Sequence, residues 1–196
     1  MAHRSTASLR VISDPRPTPV LPNSVMGTLI FVIAELMMFA GLISAFTIVK
    51  AGALGWPPPG QPRLPVEATA FNTAMLLASA AVLFYSGRAF DGSRDAAKRP
   101  LFVAIGLGAF FVCFQGYEWI SLIRHGLTLT SSNYGSFFYL IVGMHGLHAL
   151  AGLAMLVRAA SKLTRGLLAA STFAAARLFW YFVVGLWPIL YFLVYL

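Results

Sequence analysis

The sequence predicts an all-α integral membrane protein, a bundle of five transmembrane helices. Of its 196 residues, 59% are hydrophobic and only 10% are charged, whereas soluble domains carry about 25% charged residues. The apolar residues also form five blocks of about 20 residues or slightly more, which is the length that crosses a hydrocarbon core. These blocks lack the alternation of barrel strands, and a helix satisfies its own backbone in lipid, so each block is predicted to be a helix.

The five predicted spans belong to one transmembrane domain, 25–196, and comprise residues 25–49, 68–87, 101–123, 134–157 and 173–196. Residues 1–24 hold three arginines and four prolines and are predicted to form a disordered cytoplasmic arm. After the first span, GALGWPPPGQPRLP cannot be helical because proline lacks a backbone N–H and clashes with the preceding turn. The stretch GRAFDGSRDAAKRP is expected to be a polar turn that ends at Pro100, a residue favoured in the first turn of a helix.

The basic residues predict the orientation of the bundle in the membrane. Eleven of the 14 Lys and Arg residues lie in three segments, 1–24, 88–99 and 158–177, which alternate with the less basic connections. The positive-inside rule assigns these segments to the cytoplasm, so the N-terminus is expected inside and the C-terminus outside. A nucleic-acid patch would not be sorted between alternate loops, so we expect no nucleic-acid partner despite the net charge of +8.

Two of the six acidic residues, Glu35 and Glu118, lie within predicted spans. An ionised acid inside a bilayer costs about 2.5–3.5 kcal/mol on insertion scales, so it normally faces protein or water and is often protonated. The functional interpretation is a carboxyl that handles protons or contacts a partner. The alternative is a protonated acid that only forms a hydrogen bond to another helix. Arg124 and His125 follow Glu118 closely and indicate a position near the outer interface.

His145 and His148, in GMHGLHAL, share one face of the fourth span because they are three residues apart. Neighbouring glycines allow another helix to approach this face closely. A bis-histidine haem needs its ligands on opposite sides of the macrocycle, and a copper site needs further ligands that no other span supplies. Interhelical hydrogen bonds by two neutral histidines are the favoured interpretation. A metal site assisted by Glu35 or Glu118 is the alternative.

Several segments together resemble subunit III of the haem-copper cytochrome and quinol oxidases. They are AELMMFAGLISAF, GWPPPG, FNTAMLLAS, FFVCFQGYEW, YGSFFYLIVGMHGLHALAGL and FWYFVVGLWPILYFLVYL, in the order and spacing of that family. The resemblance runs from about Gly27 to the C-terminus, and the length is similar to the short, five-helix bacterial form. The matched positions are the acids Glu35 and Glu118, the HGLH pair His145 and His148, and the loop motif Trp56 and Pro57.

This resemblance implies a subunit without an active site of its own, so no catalytic or metal-binding residue is assigned. Haem and copper would be held by partner subunits, and this chain would bind only structural phospholipids. It would pack against the catalytic subunit I and other oxidase subunits in the bacterial inner membrane. There it would support proton uptake and the durability of the complex during turnover.

The last helix departs from the family pattern, which usually reads Trp-His-Phe-Val-Asp. Here Tyr181 stands at the His position and Val184 at the Asp position, which suggests a divergent branch. One alternative is therefore an accessory protein of a nitric oxide reductase. An alternative of a different class is a small independent proton channel or transporter, with the acids and histidines as a relay. The polar residues that could connect such a relay are few and scattered: Ser44, Thr47, Asn72, Thr73, Ser79 and Gln115.

Overall fold

The computed structural model describes residues 21–196, and these residues form five long α-helices. The helices are α1 (Asn23–Ala51), α2 (Val66–Gly92), α3 (Arg94–Arg124), α4 (Asn133–Thr164) and α5 (Ala170–Tyr195). All five are long and apolar enough to cross a membrane, which confirms the all-α class and the predicted number of helices able to span it. The predicted arm lies mostly outside the described residues, and α1 already begins within the range that was assigned to it.

The connection between α2 and α3 is much shorter than the predicted polar turn. Helix α2 continues to Gly92 and α3 begins at Arg94, so Ser93 alone separates them. The Ser93 side chain accepts a hydrogen bond from the backbone N–H of Ala96 and caps α3. The expectation that Pro100 lies in the first turn of a helix is wrong, because α3 starts a turn and a half earlier. The charged residues of this stretch are therefore helical, with Ser93 as the single break.

The four connections lie at two opposite ends of the bundle. Arg94, at the α2–α3 junction, donates through Nη1 to the carbonyl oxygen of Leu168 in the α4–α5 connection, at 2.7 Å. At the other end, the hydroxyl of Ser131 donates to Oε1 of Gln61 at 3.4 Å, which joins the α3–α4 and α1–α2 connections. The basic segments 88–99 and 158–177 are therefore neighbours at one end of the bundle.

Helix α5 is the centre of the bundle. It packs against α1, α2 and α4, while α2 and α3 form the most extensive helix pair. Within residues 21–196, α1 packs only against α4 and α5, and it is the least buried of the five helices. Its exposed side chains include Met37, which is 72% accessible. Helix α1 therefore stands at one edge of the bundle and leaves a groove beside α4.

The indole of Trp180 on α5 fits between two glycines of neighbouring helices. A Cβ atom at Gly108 of α3 would lie 2.7 Å from the indole, and one at Gly152 of α4 would lie 2.9 Å from it. Both distances are well below the 3.5–4.0 Å optimum for carbon–carbon contacts. The two glycines therefore let α3 and α4 close around a fully buried tryptophan.

The polar residues of α2 form a single stripe, which corrects the impression from the sequence that they are scattered. Trp180 Nε1 donates to the hydroxyl of Ser79, and Trp187 Nε1 donates to that of Thr73, at 3.1 and 2.8 Å. Ser79 in turn donates to the Ala104 carbonyl at 2.8 Å. The polar residues on this buried face of α2 are Thr69, Asn72, Thr73, Ser79 and Ser86, with Leu76 and Leu83 between them.

Candidate functional site

Glu118 lies on α3 in a buried network that reaches α2 and α5. Its side chain is enclosed, with 5% of the residue exposed. Oε2 lies 3.0 Å from Oγ1 of Thr69 and accepts a hydrogen bond from Nε2 of Gln115 at 3.3 Å. The same Gln115 amide donates to the hydroxyl of Tyr195 at 3.1 Å. One carboxyl therefore connects three helices close to the end of α3.

The single hydrogen of the Thr69 hydroxyl restricts how this network can be arranged. Oγ1 of Thr69 lies 2.9 Å from the carbonyl oxygen of Pro65, which can only accept. When Thr69 donates to Pro65, its oxygen is free to accept from Glu118, and the carboxyl then supplies the proton. No ion pair to Glu118 occurs within residues 21–196. The geometry thus accommodates a protonated Glu118 with every nearby donor paired.

A cavity of about 350 Å³ adjoins Glu118 on the side of the α1–α2 connection. Its lining includes Arg63 of that connection, together with Ser121 and His125 at the end of α3. These polar groups are exposed or half-buried, whereas Glu118 is enclosed. The carboxyl therefore borders a cavity of mixed polar and apolar lining near the end of the bundle.

Glu35 and His148 meet across the interface between α1 and α4. Nε2 of His148 lies 3.0 Å from Oε2 of Glu35, and both side chains are largely buried. Nδ1 of His148 lies 2.7 Å from the carbonyl oxygen of Met144, one turn earlier in α4. A carbonyl only accepts, so Nδ1 carries a hydrogen and Nε2 faces Glu35. When Nε2 and the Glu35 carboxyl share one proton, the net charge of the pair is zero, whether the proton is on the histidine or on the glutamate.

The Glu35–His148 pair lines a groove between α1 and α4 with a volume of about 570 Å³. The other lining residues are nearly all apolar and include Phe31, Met38 and Met155. The ring of Phe39 packs edge-on against His148, with centroids 5.5 Å apart. The pair is therefore a polar contact in the wall of an otherwise apolar groove.

His145 has different neighbours from His148, although the two share one face of α4. It is 1% exposed, and its ring lies over the indole of Trp187 with centroids 4.8 Å apart. Phe111 meets the same ring edge-on at 6.4 Å. Neither ring nitrogen has a hydrogen-bond partner among the described residues. The structure brings Glu35 and His148 together but leaves His145 on the side of α3 and α5.

These side chains can hold and exchange protons, but they do not gather into a larger ligand set. Within residues 21–196, no group of three or more His, Cys, Asp or Glu side chains could hold a metal ion. Glu35 and His148 supply two such groups in contact, and Glu118 is hydrogen-bonded to Thr69 of α2 and to Gln115 of its own helix. Glu35–His148 and Glu118–Thr69 are polar contacts between helices, whereas His145 forms no hydrogen bond among the described residues.

A family model described as Cytochrome c oxidase subunit III matches residues 17–196, which include all five helices. The chain belongs to the cytochrome c oxidase subunit III family. A probable cytochrome c oxidase subunit 3 of Nocardia farcinica is 36% identical over 182 residues, covering 87% of this chain and 89% of the relative. The cytochrome c oxidase subunit 3 of Synechocystis is 31% identical over 175 residues, covering 87% and 74%.

A mammalian relative extends the comparison beyond bacteria. The cytochrome c oxidase subunit 3 of Tragelaphus oryx is 31% identical over 189 residues, covering 91% of this chain and 71% of the relative. These matches confirm the resemblance to haem-copper oxidase subunit III. Together with five helices able to span a bilayer, they make the chain a multi-pass membrane protein.

The loop motif of this subunit III chain, Trp56 and Pro57, is folded against the bundle. The Trp56 ring packs edge-on against Phe46 of α1 and Tyr134 of α4, with centroids 5.5 and 5.2 Å apart. The peptide bond between Trp56 and Pro57 is cis. The loop therefore joins the last turns of α1 to the first turn of α4 through aromatic contacts.

Tyr181 and Val184, the two departures from the subunit III pattern, lie in different environments on α5. Val184 is 3% exposed and belongs to the main hydrophobic core. Tyr181 is half-buried beside a surface cavity between α1 and α5, which Val32 and Leu36 also line. Its hydroxyl has no hydrogen-bond partner among the described residues. At these two positions, α5 carries a buried valine and a tyrosine with an unpaired hydroxyl within the described chain.

Two members of the Glu118 network, Thr69 and Tyr195, were missed from the sequence. Thr69 could have been found from spacing, because it lies three residues before Asn72 and ten before Ser79, on the same α2 face. Tyr195 carries no comparable signal. It lies 80 residues from Gln115, and the two meet only because their side chains extend toward each other from α3 and α5 in the folded bundle.

Proposed function

We propose that this chain is the non-redox subunit III of a respiratory haem-copper terminal oxidase in a bacterial cell membrane. It packs against the catalytic subunit I and other oxidase subunits. Haem and copper are held by these partner subunits. The observation that carries the proposal is the family match over residues 17–196. Relatives that share most of their length with this chain bear the name of the same oxidase subunit.

The groove between α1 and α4 supports a role in phospholipid binding. It has a volume of about 570 Å³ and walls of Phe, Met and Leu side chains, which suit acyl chains. Helix α1 is held by only two neighbours within the described chain, so the groove faces outward at the edge of the bundle. The basic end of the bundle is proposed to face the cytoplasm, in keeping with the positive-inside rule.

Glu118 supports the second part of the role, which concerns protons and durability during turnover. Within residues 21–196 the buried carboxyl forms no ion pair, its hydrogen-bonding pattern suits the protonated form, and it borders a cavity that Arg63, Ser121 and His125 also line. We infer that it acts on the proton traffic of the neighbouring catalytic subunit. No redox ligand is assigned to this chain.

The hydroxyls of α2 argue against the alternative of an independent proton channel. Thr73 and Ser79 each donate to a backbone carbonyl and accept from a tryptophan, so the single hydroxyl hydrogen of each is already in use. Between them on the same face lies Leu76, which is fully buried. A relay along this stripe would have to break these hydrogen bonds and cross an apolar side chain.

Purification in mild detergent tests the proposed function. We expect the tagged full-length chain to bring with it haem absorbance and a much larger multi-helix membrane protein. The purified complex should consume oxygen, and consumption of nitric oxide in its place would identify the reductase alternative. A colourless homo-oligomer, or proton conduction by the chain alone in vesicles, would contradict the oxidase proposal.

Replacing Glu118 with glutamine is expected to leave assembly intact but to alter proton uptake or shorten the active lifetime of the complex. Glutamine keeps the shape and can pair with Thr69 and Gln115, but it cannot release a proton. The measurements are haem content, proton uptake and the number of turnovers before inactivation. Glu67→Gln is the matched control, because Glu67 is an exposed acid in the first turn of α2, at the same end of the bundle. If Glu118→Gln matches the wild type in both activity measurements, Glu118 has only a structural role.

A further inference from the structure

We propose that the cavity between α3 and α4 is a binding site for a neutral, phenol-like amphiphile from the membrane, with a flat apolar body and a hydroxyl headgroup. This cavity has a volume of about 300 Å³ and lies on the other side of α4 from the groove at Glu35. Only Leu147 contributes to both linings. The inference therefore concerns a separate site and does not rest on the oxidase assignment.

Three side chains in the cavity wall carry buried polar atoms without partners. His145, which is 1% exposed, has two unpaired ring nitrogens. Oε1 of Gln115 and Nε1 of Trp119 are also buried and unpaired within the described chain. All three residues line the cavity. A buried polar group without a hydrogen bond costs about 1–3 kcal/mol, so a ligand that pairs with these atoms is stabilised.

The chemistry of these atoms selects the headgroup. The Gln115 oxygen only accepts, the Trp119 indole only donates, and a neutral His145 offers one donor and one acceptor. A hydroxyl can donate to one of these groups and accept from another, whereas an ether or ketone only accepts. No Lys, Arg, Asp or Glu belongs to the residues that line the cavity, so an ionised headgroup would have no counter-charge there. The site therefore favours a neutral hydroxyl.

The apolar walls select a flat body. Rings of Phe111, Trp119 and Trp187 line the cavity, and two glycines of α4 face the Trp119 indole. A Cβ atom at Gly146 would lie 3.1 Å from that indole. The α4 wall of the cavity is smooth because these two positions carry no side chain. Aromatic contacts add about 0.5–1.5 kcal/mol per pair beyond area burial, which favours a phenol over an aliphatic alcohol.

The position of the cavity gives access from the membrane. Leu147 and Leu150, which line it on α4, are 61% and 52% exposed on the apolar exterior of the bundle. Both lie near the middle of α4 (Asn133–Thr164), at the depth of the hydrocarbon core. An amphiphile can therefore enter sideways from the bilayer and place its hydroxyl at the inner wall.

Photolabelling of the full chain in its native membranes, where any partner subunits are also present, tests this site. The probe is a dodecylphenol with a diazirine in its alkyl chain, and mass spectrometry maps the labelled residues. We expect labels within 112–119 of α3 and 142–150 of α4. Unlabelled dodecylphenol should displace the probe, while its methyl ether, which cannot donate, should need about tenfold more for the same effect. Equal displacement by the ether, or no label in these segments, would overturn the proposal.

A pair of glycine substitutions on α3 provides the matched variants. Gly116 lines the cavity, and an added Cβ there meets no atom within 4 Å, so Gly116→Leu fills the space without a clash at the backbone. Labelling should fall about tenfold or more in this variant. Gly106→Leu is the control, because Gly106 is on the same helix, is equally open and does not line the cavity. Undiminished labelling in Gly116→Leu would place the probe elsewhere and refute the site.

Discussion

Replacing Gly152 with leucine is expected to abolish or severely reduce assembly of the folded bundle. Even a Cβ atom at this position would lie 2.9 Å from the Trp180 indole, and leucine adds three further carbons. Trp180 cannot move aside, because its other edge faces Gly108 and its Nε1 donates to Ser79. Overpacking a core costs about 1–3 kcal/mol and occasionally more, and here it would force α4 away from α5.

The measurement is the monodisperse fraction and the melting temperature in mild detergent. Each kcal/mol of lost stability should lower the melting temperature by about 2–4 °C in a chain of this length. Gly41→Leu on α1 is the control, because Gly41 is exposed and an added Cβ there meets nothing within 4 Å. Gly152→Leu combined with Trp180→Ala should lose less than the sum of the two single effects, since the smaller side chain leaves room. A Gly152→Leu variant that melts like the wild type would show that the helices are not closed around Trp180.

Removing one partner of the Glu35–His148 contact is expected to destabilise the bundle. The cost of each single substitution should exceed half the cost of removing both side chains. In Glu35→Leu, Nε2 of His148 keeps its position in the wall of the groove but loses its partner at 3.0 Å. In His148→Leu, the Glu35 carboxyl is left alone in an apolar groove. Each single change should cost about 1–2 kcal/mol, which is the upper range for polar contacts inside membranes.

The double variant Glu35→Leu/His148→Leu completes a double-mutant cycle for this pair. Its loss should be smaller than the sum of the single losses, because it leaves no unpaired polar group behind. Melting temperatures of all four proteins, converted to free energies, give the coupling. Helix α1 packs only against α4 and α5 in the described chain, so α1 should be the first helix to become accessible to protease in the single variants. Strictly additive losses would mean that the two side chains do not interact.

The spans were predictable because lipid imposes a simple rule on composition. A segment of about 20 apolar residues in hydrocarbon has to form a helix to pair its backbone groups. The ends of the helices followed a different rule. At the α2–α3 junction the charged residues remain helical, and only Ser93 lies outside a helix. A helix that is long enough to leave the membrane can continue in water. Hydropathy marks the limit of the lipid, not the limit of the helix.

The candidate site was predictable only as a set of residue types. The cost of burying an acid drew attention to Glu35 and Glu118, and spacing placed His145 and His148 on one face. Spacing alone could not show that one histidine meets Glu35 while the other lies over Trp187. That difference depends on which helices flank α4, and the flanking helices are distant in the chain.

The sequence by itself determined that the chain is a membrane bundle of five helices and, through its motifs, that it resembles subunit III. Both follow from local properties, because each span is defined by its own composition and each motif by neighbouring letters. Only the tertiary structure decided the contacts of Glu118 with Thr69 and of Gln115 with Tyr195. It also decided that His145 lines a cavity between α3 and α4. The two hydrogen bonds join residues 49 and 80 positions apart, so they depend on how the helices pack and not on neighbouring letters of the sequence.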